Sequence, residues 1–222
     1  MYKLYSTYFL ENDVEQYNCY VNNDLWKRIT NDLMANRILI RINNNTNFWI
    51  CSLGQPIYTT FDSSNHIYVP KWMLEQINCE GVGESVTLDW FPSEVFDHST
   101  KIILQPHESI IHIENIQEIL SNELTKLAIL KKGSTIQVIM DDSKMPLKFE
   151  VVGLEPASIV LCEGDEVELE FMESLDSIAQ SHDVAPSAPD AEPSVSASTL
   201  GGVQREGRYN PWRTKGFMPK SS

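Results

Sequence analysis

Nine short runs rich in β-branched and aromatic side chains recur between residues 37 and 171, and turn-forming residues separate them. The runs are RILIRIN, NFWICSL, HIYVP, ESVTLDW, KIILQP, STIQVIM, LKFEVVGL, SIVLCE and DEVELEF. Each has the length of a strand and is too short for a buried helix of ten or more residues. NNNTN, DSSN, GVGE, DDSKMP and EGDE lie between them, where Gly, Pro, Asn, Asp and Ser supply turn conformations. Three other segments have helical spacing. Residues 23–35 place Leu25, Ile29 and Leu33 on one face behind Asn22, and Pro70 stands where a first-turn proline opens the short helix KWMLEQI. Asn115 with Glu118 three residues on has the form of a capping box, followed by the apolar stripe Ile116, Ile119, Leu120, Leu124 and Leu127. Many strands with few helices predict an all-β or α+β body, not a parallel sheet of βαβ units.

The charge is unevenly distributed. Thirty-one acidic against 17 basic residues give the 222-residue chain a net charge of −14. Residues 173–202 contain five acids, no Lys or Arg, and much Ser, Ala and Pro, a composition that buries too little apolar surface to offset ordering entropy. A disordered linker is expected there. Residues 203–222 carry +4, which leaves −13 on residues 1–172. In this last segment Tyr209, Trp212 and Phe217 alternate with Arg205, Arg208, Arg213, Lys215 and Lys220. Aromatic and Arg side chains make interface hot spots, so Tyr209, Trp212, Arg213, Lys215, Gly216, Phe217 and Met218 are candidate partner-binding residues of a linear docking motif. A frayed terminus and a single-strand RNA contact are the other readings of the same residues.

An acidic body is poorly suited to DNA or an anionic membrane, because such binding rests on clustered Lys and Arg. No apolar stretch approaches the roughly 18–20 residues of a membrane-spanning helix, and the N-terminus lacks the apolar region of a secretory signal. Cys19, Cys51, Cys79 and Cys162 are widely spaced without a C-x-x-C pair, which predicts reduced core cysteines rather than a disulfide framework or a zinc site. Phosphate-loop, dinucleotide, nucleophile-elbow, metalloprotease and deaminase motifs are absent. His107 and His112 bracket Glu108 but lack further ligands at metal spacing, and read as ordinary histidines. In EGDEVELEF the acids alternate with Val167, Leu169 and Phe171, the period-two pattern of a strand with one wet acidic face. No catalytic, cofactor-binding or metal-ligating set emerges.

Two segments, HIYVPKWMLEQI (66–77) and KIILQPHESIIHIENIQEILSNELTKLAILKKGSTIQVIM (101–140), resemble the N-terminal domain of the ubiquitin fusion degradation protein 1 family. Tyr68, Pro70, Trp72 and Met73 match that family's Tyr-Leu-Pro-x-Trp-Met segment. Gln105, Pro106, Ile113 and Asn115 match its Gln-Pro and aliphatic-Asp-Ile-x-Asn stretch, and Leu120, Leu124, Leu130 and Gly133 its helix and following turn. The similarity continues through FEVVGLEPASIVLCEGDEVELEF and covers roughly residues 5–172. The chain departs from the family in having Gly133–Ser134 at a Gly-Asp turn, and in a tail without the Phe-x-Gly-x-Gly spacing that docks on the ATPase.

The resemblance implies a β-rich α+β fold, a double-psi β-barrel over 4–103 and a small α/β roll over 104–172, to which composition adds the disordered acidic linker 173–202 and the docking candidate 203–222. It implies a non-enzymatic adaptor in ubiquitin-dependent protein catabolism, including endoplasmic-reticulum-associated degradation. Ubiquitin or polyubiquitylated clients would be recruited to a AAA ATPase of the valosin-containing-protein type, with a second adaptor subunit, in the cytoplasm and nucleus and at the cytosolic face of the endoplasmic reticulum. The alternatives are a double-psi-barrel enzyme and a divergent scaffold acting only through its C-terminal motif. The matching residues are mostly apolar, Pro or Gly, so they mark scaffold positions rather than a contact surface.

Overall fold

The computed structural model describes residues 1–10, 14–58, 65–111, 113–139, 145–163, 166–182 and 214–217. The first half of the chain contributes β1 (Tyr2–Ser6), β2 (Asn18–Val21), α1 (Asn23–Asp32), β3 (Ile38–Asn43), β4 (Phe48–Leu53), β5 (His66–Val69), α2 (Lys71–Gln76) and β6 (Val82–Pro92). Its six strands close into a barrel in the order β1-β5-β2-β4-β3-β6, with β6 pairing back onto β1. Closure leaves none of these strands as an open edge. The β1–β5 and β2–β4 pairs are parallel and the other barrel pairs antiparallel.

The second half contributes β7 (Lys101–Pro106), α3 (Ile116–Leu127), β8 (Ile129–Lys131), β9 (Thr135–Ile139), β10 (Pro146–Glu155), β11 (Ile159–Leu161), β12 (Glu166–Phe171) and α4 (Leu175–His182). A last strand, β13, spans Thr214–Phe217. One sheet has the order β13-β12-β7-β10-β9, while β8 and β11 form a two-stranded ribbon. The fold is therefore a β-dominated α+β architecture containing a closed six-stranded barrel.

The sequence of β3 shows how the two halves join. Ile40 and Ile42 point into the main core, which also holds Trp49, Met73, Leu124 and Val138 and so runs through both halves. Leu39 points the other way, yet it is fully buried with Ile50, Ile129 and Leu161 in a second cluster under the β8–β11 ribbon. Burial on both faces explains why RILIRIN reads as an almost continuous apolar run instead of a strict alternation. Lys131 of β8 clamps the same junction: its Nζ lies 3.9 Å from the Phe48 ring centre and donates to the Phe48 carbonyl at 3.2 Å.

Local signals behave according to type. Asn22 caps α1 as its sequence position suggests, its Oδ1 accepting from Leu25 N at 2.9 Å. Asn115 does not cap α3 in that way: it adopts φ 56° and ψ 26°, and its side chain makes no capping bond. The capping-box expectation is corrected here. The chain enters α3 through a left-handed residue, a conformation that Asn tolerates better than most residues. Structure also begins inside the stretch whose composition predicts a disordered linker, because Leu175–His182 form α4. Tertiary bonds hold its start: Asp176 N donates to His107 O, and Asp176 Oδ2 accepts from Ser109 N at 3.2 Å. Hydrogen bonds from Ser174, and from the backbone of Ser109 and Ser177, hold the Asp176 carboxyl below its ordinary value.

Candidate functional site

The residues shared with the family pattern are distributed through the scaffold. Trp72 is buried at the centre, edge-on to Trp49 at 5.5 Å and Tyr17 at 6.4 Å, and its Nε1 donates to Gln16 O at 2.9 Å. Pro70 opens α2, its carbonyl accepts from Met73 N at 3.0 Å, and the Met73 side chain is buried. Tyr68 stacks on Tyr5 with ring centres 5.7 Å apart. Gln105 ties β7 to the chain leaving β12 through its Nε2 bond to Glu173 O at 2.9 Å, and Pro106 pairs with Phe149. Ile113 is half-buried against the core and Leu124 is fully buried. Gly133 has φ 74°, and a Cβ added there would meet nothing within 4 Å, so this position asks for backbone freedom rather than space. Its neighbour Ser134 closes the turn by donating to Lys131 O at 2.5 Å, a bond that an ionised Asp could not donate.

Three surface features among the described residues bring polar or exposed apolar side chains together outside these positions. The first is a cleft of about 880 Å³ between the barrel mouth and α3, with Tyr17, Trp26, Ser52, Glu123 and Lys126 among its lining residues. Glu123 is buried, but its two oxygens are engaged: Tyr17 Oη donates at 2.5 Å and Lys126 Nζ lies at 2.5 Å. Tyr17 Oη in turn accepts from Ile139 N at 3.4 Å, so this carboxylate joins the β1–β2 connection, α3 and β9. The arrangement is that of a structural bridge, because a buried charge with satisfied partners is held in place by them. Nearby, burial and the Glu15 charge push the Tyr20 hydroxyl up to about 12, and it donates to Glu15 O at 3.1 Å.

The second feature is an exposed apolar patch at the end of β1. Tyr8 and Phe9 are 90% and 59% exposed, and Val82, whose neighbour in the sheet is Tyr5, is 63% exposed. Tyr5 supports the patch from below, packing edge-on to Phe9 at 6.3 Å and against His66 at 4.7 Å. Glu84 fixes the loop that carries Val82. Its carboxylate accepts from the N–H groups of Glu80, Gly81 and Val82 at 2.6, 3.0 and 2.8 Å. Burial opposes ionisation of Glu84, but these backbone donors outweigh it and hold the carboxyl below its ordinary value. Exposed Glu80 adds a second acid beside the patch.

The third feature is the side of β12 turned away from β7, where β13 completes the five-stranded sheet. Val167, Leu169 and Phe171 are buried, as the period-two pattern predicts, while Glu168 and Glu170 flank Lys101 at 3.8 and 3.1 Å. β13 pairs antiparallel with β12, placing Lys215 beside Glu168 and Gly216 beside Val167 in register. Three of the candidate docking residues, Lys215, Gly216 and Phe217, thus fall on a strand of this chain's own sheet. Sequence reasoning had no signal for this pairing, since TKGF carries neither alternation nor β-branched enrichment beyond Thr214. Tyr209, Trp212, Arg213 and Met218 lie outside the described residues, as does His112.

The cysteines are free; Cys19, Cys51 and Cys162 are buried and Cys79 is partly exposed. Hydrogen bonding to Cys19 and burial push the Cys51 thiol well up, and burial does the same for Cys162. Among the described residues, no group of three or more His, Cys, Asp or Glu is placed to hold a metal ion. No helix among them is long and apolar enough to cross a membrane.

No family model matches the chain. It is similar to the ubiquitin fusion degradation protein 1 homolog of Dictyostelium discoideum, with 30% identity over 111 residues. The aligned part is 50% of this chain and 32% of that protein, so the chain spans about a third of the length of the curated relative it matches. Over half its length, this β-dominated chain is thus similar to a protein named for the degradation of ubiquitin fusions.

Proposed function

We propose that the protein is a non-enzymatic adaptor in ubiquitin-dependent protein degradation, with the barrel in the double-psi arrangement and the second sheet as its companion roll. The observation that carries this reading is the 30% identity over 111 residues to a ubiquitin fusion degradation protein 1 homolog. The body binds ubiquitin chains or ubiquitylated clients, and the C-terminal segment engages a AAA ATPase of the valosin-containing-protein type, alone or with a second adaptor subunit. Its place of action is the cytoplasm and nucleus, including the cytosolic face of the endoplasmic reticulum. Of the surface features, the patch of Tyr8, Phe9 and Val82 supports ubiquitin contact best. Ubiquitin presents an apolar patch with a basic rim, and here exposed apolar side chains stand beside Glu80 and Glu84 on a body of charge −13.

Affinity purification of the intact chain and of a form lacking residues 203–222 tests the two halves together. Ubiquitin conjugates are expected with both forms, and the ATPase only with the intact chain. Recovery of neither partner with the intact chain, followed by no binding in direct titration, would overturn the proposal. Recovery of the ATPase with the shortened form would move the docking site into the body.

A further inference from the structure

β12 uses its two edges differently. On one side the N–H groups of Glu168 and Met172 donate to Thr100 O and Leu104 O at 3.0 and 2.9 Å, tying the strand to β7. Backbone groups alternate in direction along a strand, so those of Val167 and Leu169 face the opposite edge. There β13 lies antiparallel, with Val167 opposite Gly216 and Leu169 opposite Thr214. Without β13 this edge would be a row of unpaired donors and acceptors, to which an extended peptide adds as a further strand.

Charge favours the same encounter. Residues 1–172 carry −13 and residues 203–222 carry +4, so the segment that pairs with β12 is the basic part of an acidic chain. Residues 183–213 connect α4 to β13, and 31 residues have a contour length of roughly 100 Å. That length allows the segment to reach either its own body or another molecule. A segment tethered to its own body has the advantage of an effective concentration of millimolar order.

We propose that the outer edge of β12 is a peptide-docking site whose occupant is the chain's own 214–217 segment, held in cis. While the segment is paired its backbone is not available to a partner, and a partner that takes the segment uncovers the β12 edge. The docking candidate and the body are therefore coupled: each is exposed only when the other is released. This inference goes beyond the adaptor reading and does not depend on what the barrel binds.

Amide hydrogen exchange on the full chain tests it. Gly216→Pro removes the tail donor opposite Val167 without altering the barrel or the core. In wild type the Val167 and Leu169 amides are expected to be protected. In G216P their exchange should accelerate about tenfold or more, the loss expected on removing a hydrogen-bonded pairing, while Ile102 and Leu104 stay protected as a control for the fold. A labelled synthetic peptide of residues 209–220 should bind full-length G216P at least about tenfold more tightly than wild type, whose edge is occupied. Raising salt from about 0.05 to about 0.5 M should weaken both the wild-type protection and the peptide binding. Equal exchange of Val167 and Leu169 in the two proteins would overturn the proposal, as would equal peptide affinity. Protection that rises with protein concentration would also overturn it, by assigning the pairing to a second copy.

Discussion

Gly81 and Gly133 share a positive φ, 76° and 74°, but not an environment. A Cβ at Gly81 would stand 2.8 Å from the Ser6 backbone nitrogen and collide with the Leu74 side chain, whereas one at Gly133 would meet open space. Gly133→Ala should therefore cost about 1 kcal/mol, the backbone term alone, and Gly81→Ala roughly 2–4 kcal/mol because overpacking against backbone is added. Denaturant unfolding of the two variants checks the ordering, and equal losses would contradict it. Glu84 makes a pH prediction at the same corner. Its folded pKa is depressed, so the stability it adds is present above the ordinary carboxylate value of 4.5 and is lost as pH falls through the folded value. The protection of the Gly81 and Val82 amides, taken relative to their intrinsic exchange rates at each pH, should fall below about pH 4.5, and E84Q should show the lowered protection already at neutral pH. Pattern reasoning could identify neither corner as special: both glycines read as turn positions, and only the fold distinguishes a crowded one from an open one.

α3 offers the clearest test of how an element begins. If Asn115 served as a side-chain cap, Ser would replace it at little cost; because it is left-handed and makes no capping bond, Gly should match or exceed wild type. N115G is expected to leave the melting temperature equal or higher, and N115S to lose about 1 kcal/mol. The reverse order would restore the capping box. The stripe that follows was legible from spacing alone, and Ile116, Leu120, Leu124 and Leu127 are all buried. The nine strand-like runs correspond to β3–β7 and β9–β12. β1, β2 and β8 escaped because YKLYS, NCYV and ILK are short and mix polar with apolar residues, so that barrel closure and ribbon pairing, rather than local pattern, make them strands. α4 escaped for a related reason: its composition is that of a linker, and bonds to His107 and Ser109 supply the order that the local sequence does not.

At the scale of the whole molecule, the β-dominated class was readable from run length and turn chemistry, whereas the surfaces were not. The motif residues Trp72, Met73 and Leu124 are scaffold positions: they are buried, and burial removes them from any contact surface. Exposure has to be seen in three dimensions: Val82 comes beside Tyr5, on which Phe9 packs, only when β1 and β6 pair. The net charge of −14 likewise concealed a division between an acidic body and a basic segment that the fold brings to the body's own edge strand. The central claim, that the body binds ubiquitin, is tested most directly by titrating the full chain, and its F9A/V82S variant, with ubiquitin chains. The account predicts saturable binding to the wild type and roughly tenfold or greater weakening in the variant, the effect of losing about 1.4 kcal/mol at a contact. No binding at high micromolar concentration by a folded wild-type protein would contradict it.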